Sequence, residues 1–235
     1  MADNFTAADW NHLQERASTL TGQLQAKGVT VEPFNPMPPI PRSQVDDFEE
    51  QTGLRLPQDF VDLVTQFAGG WRFYWNLEVQ ADRRWLRPPA YMGDFGGNSE
   101  VPFIGASEGC PLLKLYNTFQ EEIRDDAPDD PDTLAALSAM FPLHLTDGGG
   151  GDYTVLRLDT SPVEVVYLDH ESRRRLGDNR ILGHGLSAFL RRWANLSFPQ
   201  CEYHHSWVDA SRREPDDESL RAQEWGAWLS NPSAA

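Results

Sequence analysis

The sequence predicts an α+β fold, because helical patterns come first, strand patterns follow, and helical patterns return near the end of the chain. Apolar residues recur at helical spacing near the start and again in residues 186–193. Between them, "YTVLRLD" and "VEVVYLD" are rich in β-branched and apolar residues, which favours strands. This order favours segregated helices and strands over an alternating parallel sheet.

The composition is that of a folded protein with a large core. The chain has 235 residues, of which 40% are hydrophobic, and it includes eight Trp and twelve Phe. No apolar run approaches the roughly 20 residues of a membrane-spanning helix, and the N-terminus lacks the pattern of a secretory signal. Cys110 and Cys201 are far apart, without the spacing of a cysteine-based zinc site. We therefore expect a soluble cytoplasmic protein with no membrane contact.

Charge narrows the classes of partner. The chain has 36 acidic and 20 basic residues, a formal net charge of −16. Such a field repels nucleic acid and speeds encounter with a cationic partner. Acidity can also serve solubility alone, and composition does not separate the two interpretations.

The first element is an amphipathic helix. Thr6 and Asp9 have the spacing of a capping box, and Gly28 is a plausible end. "VEPFNPMPPIP" then contains five prolines, which exclude a helix and predict an extended linker. The inward-facing side of the predicted helix consists of Trp10, Leu13, Ala17, Leu20 and Leu24.

A second, short helix is predicted before Gly53. Ser43 is its expected N-cap, with Asp46 at the third position, and Gly53 is its expected end. Val45 and Phe48 are expected to face inward.

A third helix is predicted to begin with Pro57 at its first position. Asp59 and Asp62 are expected to lie outside its apolar face, and "WRFYW" after Gly70 is expected to be a strand. The apolar face consists of Phe60, Leu63, Val64 and Phe67.

The middle of the chain is predicted to contain short strands and turns over residues 82–109, followed by a strand at "LLKLY", Leu112 to Tyr116. Asp130 is the expected cap of a helix that starts at Pro131. Leu134, Leu137 and Phe141 are expected to face inward.

An acidic stretch overlaps this region and is offset locally only by Arg124. It is the most concentrated negative patch in the chain, so we expect it to steer a cationic partner. Its members are Glu121, Glu122, Asp125, Asp126, Asp129, Asp130 and Asp132.

After this stretch, "YTVLRLD" and "VEVVYLD" are predicted to form a hairpin. A core helix is then expected, with Leu186, Phe189, Leu190 and Trp193 on its apolar face. The tail from Pro215, which contains Leu220 and Trp228, is expected to form one more amphipathic helix.

Four consecutive glycines stand in "DGGGGDYTVLRLD". A nucleotide-binding loop needs Lys and Ser or Thr before a helix, whereas Asp152 and a strand follow here. Calcium-binding glycine–aspartate repeats need several copies, although Asp147 and Asp152 could flank a weak cation site. The favoured interpretation is a tight turn.

Other polar motifs give no clear chemistry. "LDHES" at 168–172 and the histidines at 204 and 205 lack the convergent ligands that a metal site requires. The chain has no G-x-S-x-G motif, and neither cysteine lies in an activating setting. Paired carboxylates stay possible, because pairing depends on the fold.

Aromatic residues of 71–91 have two interpretations. Packing in the core is favoured, because aromatic side chains bury so much area. Exposed members would instead provide rigid anchors for a protein interface, and the candidates for this role are Trp71, Trp75, Trp85 and Tyr91. The set consists of Trp71, Phe73, Tyr74, Trp75, Trp85 and Tyr91.

The succession of these segments resembles the SUKH superfamily. "IPRSQVDDFEEQTGLRLPQDFVDLVTQFAGGW" is similar to its N-terminal signature, and "FPLHLTDGGGGDYTVLRLD", "VEVVYLDHES" and "GLSAFLRRWANL" are similar to its later part. The resemblance covers roughly residues 39–198. The matching positions of the signature are Ile40, Phe48, Glu49, Gly53, Leu56, Pro57, Phe60, Gly69 and Gly70.

The resemblance implies a mixed, curved, mainly antiparallel sheet flanked by helices. We therefore expect three parts: residues 1–38 as an N-terminal helix and Pro-rich linker, 39–198 as the SUKH-like domain, and 199–235 as a C-terminal helical extension. The two flanking parts are additions to the family core.

The resemblance also implies a function in binding. Bacterial members are immunity proteins that neutralise a toxin domain, and fungal relatives regulate cell-wall synthesis as interaction proteins. We therefore expect a protein that binds a basic toxin and has no catalytic residue, metal or cofactor. The alternatives are an intracellular scaffold or regulator and, with less support, a hydrolase that uses Asp152, Asp169 and Glu171.

Overall fold

The computed structural model describes residues 4–77, 96–101, 112–126, 131–145, 152–169, 180–199 and 215–231. This part of the chain contains seven helices and two antiparallel sheets, which confirms the α+β fold.

The helices are α1 (Ala7–Ala26), α2 (Arg42–Thr52), α3 (Gln58–Asp62), α4 (Leu112–Asp126), α5 (Pro131–Ser138), α6 (Leu186–Asn195) and α7 (Leu220–Ser230). A π-helical turn, Leu63–Phe67, continues α3. The strands are β1 (Val31–Met37), β2 (Gly70–Asn76), β3 (Gly96–Val101), β4 (Met140–Leu145), β5 (Tyr153–Arg157), β6 (Glu164–Leu168) and β7 (Arg180–His184).

The strands pair in chain order. One sheet has the order β1-β2-β3 and the other β4-β5-β6-β7, and each neighbouring pair is antiparallel. β5 and β6 form the predicted hairpin, with Leu156 opposite Val165. β3 also lies close to β4, so the two sheets adjoin at that edge.

The second sheet is covered on both faces. Leu156, Val165 and Tyr167 face the main hydrophobic core. Tyr153 and Val166 point the other way and join a smaller cluster with residues of α4 and α5. Because helices cover both faces, β5 and β6 read as continuous apolar runs rather than as alternating patterns.

Helix α1 forms as predicted. Thr6 and Asp9 make a capping box, in which the Thr6 amide donates to Asp9 Oδ2 over 2.9 Å. Leu13, Leu20 and Leu24 are buried, and α1 packs on β1 and α6. The helix therefore contributes to the same core as the sheets.

Helix α7, the predicted tail helix, also belongs to this core. The Trp225 ring stacks between Trp75 of β2, at 5.8 Å, and Trp228, at 5.0 Å. Lys27 Nζ lies 4.5 Å from the centre of the Trp228 ring and donates to the Asn231 carbonyl over 2.6 Å. Residues from all three predicted parts of the chain thus share one hydrophobic cluster.

The Pro-rich segment is not a linker. It forms β1, which pairs with β2 so that Pro36 lies opposite Trp71. In this sheet β1 has a neighbour on one side only. Prolines are tolerated there because an edge strand does not need every amide for pairing.

The segment "LLKLY" is the start of α4, so the predicted strand was wrong. Leu112, Phe119 and Ile123 are buried at spacings of seven and four, which is a helical pattern. A window of five apolar residues is too short to distinguish this pattern from a strand.

Two predicted helix starts were also misplaced. Helix α2 begins at Arg42, directly after Pro41, and has no side-chain cap, so Ser43 is not its N-cap. Pro57 is the residue before the first turn of α3 rather than a member of it. Gly53 does end α2, with the positive φ of 72° that favours glycine.

Asp59 and Asp62 are buried, contrary to the prediction that they lie outside the apolar face. Asp62 Oδ1 accepts hydrogen bonds from Gln58 Nε2 at 2.8 Å and Gln66 Nε2 at 2.9 Å. Asp59 Oδ2 accepts a bond from the Ser187 amide in the first turn of α6. Both carboxylates are therefore bound to partners that a linear pattern does not reveal.

Candidate functional site

Two adjacent helices present a strongly acidic surface. Each of α2 and α4 carries four carboxylate side chains, and α5 adds Asp132. The basic residues on the three helices are Arg42, Lys114 and Arg124. We call the exposed carboxylates the acidic face; its members are Asp46, Asp47, Glu50, Glu121, Glu122 and Asp132.

Aromatic packing holds α2 against α4. Phe48 of α2 is fully buried, and its ring meets Tyr116 of α4 edge-on at 5.5 Å and Phe141 of β4 at 5.2 Å. With Val45 and Phe48 turned inward, Asp46, Asp47 and Glu50 are left on the outer side. The carboxylates of the two helices therefore lie on the exposed sides of elements that pack against each other.

Helix α4 is fixed in turn by α5. The Tyr116 hydroxyl donates to the Ser138 carbonyl at 2.7 Å, and Gln120 Nε2 donates to the Leu137 carbonyl at 3.2 Å. Burial raises the pKa of Tyr116, an effect that Arg124 partly opposes. The phenol thus stays a neutral donor at physiological pH.

The acidic residues of the face are not equivalent. Glu122 accepts a hydrogen bond from the Tyr153 hydroxyl, which ties α4 to β5. Arg42 pairs with Asp46 at 3.0 Å, but both side chains are more than half exposed, so the pair contributes little stability. Among the described residues, Asp47, Glu50 and Glu121 have no ion-pair partner. These three are the carboxylates best placed to attract an external cation.

Part of the predicted acidic stretch lies outside the described residues. Asp129 and Asp130 are outside the described ranges, so the predicted capping role of Asp130 is outside them as well. Asp125 and Asp126 lie in the last turn of α4. The structure therefore places Glu121 and Glu122 on α4, which packs against α2, and Asp132 on α5, which packs against α4.

Two predicted aromatic anchors are core residues. Trp71 is 1% exposed and Trp75 is 0% exposed, so neither can contact a partner. Their side chains point inward from β2, where the Trp75 indole donates to the Ser197 carbonyl at 3.2 Å. Trp85 and Tyr91 lie outside the described residues.

An apolar contact point appears elsewhere. Leu134 on α5 is 37% exposed, although the sequence pattern predicted that it faces inward. Leu137 does face inward and packs with Phe119 in the smaller cluster. Leu134 is therefore an exposed apolar side chain on α5, the helix that also carries Asp132.

The α2 carboxylates were missed by sequence reasoning. Their signal was the polar side of an amphipathic helix, which shows that they face outward but not what lies beside them. The contact between Phe48 and Tyr116 joins residues 68 positions apart in the sequence. Only the fold brings the two acidic helices together.

The residues of the hydrolase hypothesis are partly described. Asp152 Oδ2 accepts a hydrogen bond from the Tyr167 hydroxyl at 2.7 Å, which gives this carboxylate a structural partner. Asp169 follows β6, whereas Glu171, Asp147 and the four glycines lie outside the described residues. Within the described ranges, no group of three or more His, Cys, Asp or Glu side chains could hold a metal ion.

Comparison with known proteins adds no relative: no protein-family model matches the chain, and no curated protein matches it. Among the helices that the structure describes, none is both long and apolar enough to cross a membrane.

Proposed function

We propose that this protein is an immunity protein, which binds and neutralises a basic toxin domain by direct contact and without catalysis. The observation that carries the proposal is the acidic face, with six exposed carboxylates, five of them on α2 and α4, which pack against each other, and one on α5. The resemblance of residues 39–198 to the SUKH superfamily is its second support. A cytoplasmic location belongs to the same proposal, because the toxin must be intercepted where it acts.

Electrostatics gives the acidic face its role. The whole chain has a net charge of −16, which attracts a cationic protein at long range. The local excess on α2 and α4 then orients the approach. Steering of this kind raises association rates by about 10- to 1,000-fold at low salt. Fast capture matters for an immunity protein, because each free toxin molecule can act before it is bound.

Charge alone does not give a tight complex. Exposed ion pairs contribute about 0–1 kcal/mol each, so lasting affinity needs apolar contact as well. Leu134 offers an exposed apolar side chain on α5, the helix that also carries Asp132. We therefore assign association mainly to Asp47, Glu50 and Glu121, and part of the slow dissociation to Leu134.

Genetic context and co-expression test the proposal. The gene beside that of this protein is cloned, and its product is expressed with and without this chain. We expect the neighbour to encode a basic toxin domain whose lethality is relieved by equimolar co-expression. A basic toxin neighbour whose lethality is not relieved would overturn the proposal.

A binding measurement distinguishes an immunity protein from the main alternative, an intracellular scaffold. An immunity protein should capture one partner at one-to-one stoichiometry, as measured by isothermal titration calorimetry. A scaffold should have no toxin neighbour and should retain several partners in pull-down experiments.

The hydrolase hypothesis is discarded if alanine at positions 152, 169 and 171 together leaves full protection.

A further inference from the structure

Lysine is scarce in this chain. The sequence has 20 Lys and Arg residues, and Lys27 and Lys114 are its only lysines. Acylation of a lysine ε-amine removes its positive charge, whereas an arginine guanidinium stays protonated and does not react in this way. Only these two positions can therefore lose a positive charge by side-chain acylation, and the structure describes both.

Lys27 is shielded from an acyl donor. The residue is 1% exposed, its Nζ donates to the Asn231 carbonyl over 2.6 Å, and the same Nζ lies 4.5 Å from the centre of the Trp228 ring. Burial lowers the pKa of this ammonium, which favours the neutral, nucleophilic amine. A donor can reach that amine only after α7, which carries Trp228, has moved away. Access, rather than protonation, therefore protects Lys27.

Lys114 is open to solvent. It is exposed and is the third residue of α4. Among the described residues it has no ion-pair partner. Its charge also opposes the helix dipole, because the positive end of that dipole is at the helix N-terminus. The stability of α4 therefore does not account for a cation at this position.

Lys114 lies on the same side of α4 as Glu121. The two residues are seven positions apart, which is close to two helical turns and about 10 Å along the helix axis. This separation is close to the Debye length of about 8 Å at physiological ionic strength, so the ammonium weakens the negative potential around Glu121. Arg42 and Arg124 are the other basic residues of α2, α4 and α5. Loss of the Lys114 charge would thus remove one of three cations from the helices of the acidic face.

We propose that Lys114 is an acylation site and that its acylation is a charge switch on the acidic face. The neutral amine attacks the carbonyl carbon of an acyl thioester; the N–C bond forms, the C–S bond breaks, the thiolate leaves and the amine proton passes to solvent. The net charge of −16 repels a free anionic donor, so a transferase delivers the acyl group. The effect of the switch rests on the proposed function: the more negative face captures a basic toxin faster.

A neutral acylating reagent, N-hydroxysuccinimide acetate, tests the site on the full chain. After brief treatment, peptide mass spectrometry should find Lys114 acetylated at least about tenfold faster than Lys27, because Lys27 reacts only after local opening. Treatment in denaturant is the control and should label both lysines equally. Equal labelling in the folded chain, or an unreactive Lys114, would overturn the assignment.

Three variants test the switch. Lys114→Gln mimics the acylated residue, and Lys114→Arg keeps the charge but cannot be acylated. Arg124→Gln is the matched control, because it removes one positive charge from an exposed position in the last turn of α4, where a cation complements the dipole.

Both glutamine variants should associate about twofold faster than wild type, at low salt, with the toxin domain that the neighbouring gene encodes. The melting temperature should stay the same or rise in Lys114→Gln and fall in Arg124→Gln, and Lys114→Arg should match wild type in both measurements. An unchanged association rate constant in Lys114→Gln, or a lower melting temperature, would overturn the switch. If wild type does not bind the toxin domain, the proposed function and the switch fail together, whereas the labelling experiment still decides whether Lys114 is the acylation site.

Discussion

The buried carboxylate of Asp59 in α3 accepts a hydrogen bond from the amide of Ser187 at 3.1 Å, across 128 residues of sequence. Ser187 is in the first turn of α6. The N-cap residue of this helix is Gly185, which has no side chain that could cap it. A carboxylate at a helix N-terminus satisfies free amides and complements the helix dipole. Asp59 thus provides the cap of α6 from a distant element, and this relationship leads to two testable expectations.

We expect Asp59→Ala to lower the free energy of unfolding by about 1–3 kcal/mol, because it leaves the Ser187 amide buried without its acceptor. Chemical denaturation measures the change. Asp47→Ala is the matched control: Asp47 is exposed, and its loss should alter the unfolding free energy by less than about 0.5 kcal/mol. Equal effects of the two substitutions would contradict the capping role.

Stability should also depend on pH through Asp59. Burial raises the pKa of the Asp59 carboxyl in the folded protein, an effect that its backbone hydrogen bonds partly oppose. Because the folded pKa is the higher one, the associated stability is present below the unfolded pKa and is lost as pH rises through the folded pKa. The free energy of unfolding of wild type, relative to that of Asp59→Asn, should therefore increase as pH falls. A difference that does not change between pH 7 and about pH 4 would count against this assignment.

The α6 helix has a second charged partner at its other end. Arg16 of α1 donates to the Asn195 carbonyl at 3.0 Å, and burial lowers the pKa of this guanidinium, with Asp217 opposing the shift. A cation at a helix C-terminus complements the dipole. We expect Arg16→Met to destabilise the protein by about 0.5–1 kcal/mol in thermal unfolding, and Arg16→Lys to restore part of this loss. A stabilising effect of Arg16→Met would contradict the capping interpretation.

Much of this architecture could be predicted from local patterns. The capping box of Thr6 and Asp9, the end of α2 at Gly53 and the β5–β6 hairpin depend on neighbours in sequence, so periodicity and turn chemistry were sufficient. The burial of Asp59 and the pairing of the Pro-rich β1 with β2 depend on residues far away in the chain. A linear pattern identifies a polar residue, but it cannot show that a distant amide binds it.

In the candidate site, too, only the features that depend on neighbours in sequence could be predicted. The acidic stretch from Glu121 was visible in the sequence, and its place on a helix was hidden by the short apolar run that begins α4. Trp71 and Trp75 illustrate the converse error, since an aromatic-rich strand can face either the core or solvent. Which face is covered depends on α6 and α7, and helix α7 lies some 150 residues further along the chain.

The position of α7 in the core gives a direct test of the fold. Trp225 is 1% exposed, so Trp225→Ala should lower the free energy of unfolding by about 3–5 kcal/mol. Leu220 lies on the same helix but is 70% exposed, so Leu220→Ala should change it by less than about 0.5 kcal/mol. Similar small effects from both substitutions in differential scanning calorimetry would show that α7 does not pack on the core.

Leu134 should act on dissociation rather than on association. Because its side chain is partly exposed on α5, Leu134→Ala should leave the melting temperature nearly unchanged. Loss of an apolar contact at the toxin interface should raise the dissociation rate constant about 5- to 20-fold, while the association rate constant stays within about twofold. Biolayer interferometry with the proposed toxin separates the two constants. An unchanged dissociation rate constant would remove Leu134 from the interface.

If the acidic face captures a basic toxin domain, the association rate constant should depend on the carboxylates of that face. Two triple variants with the same net charge are compared by stopped-flow fluorescence at low salt. The acidic-face variant carries Asp47→Lys, Glu50→Lys and Glu121→Lys. The control variant carries Glu15→Lys on α1, Glu218→Lys just before α7 and Glu224→Lys on α7, all at exposed positions. We predict that the acidic-face variant associates at least about tenfold more slowly than the control variant. Equal association rate constants for the two variants would contradict electrostatic capture by the acidic face.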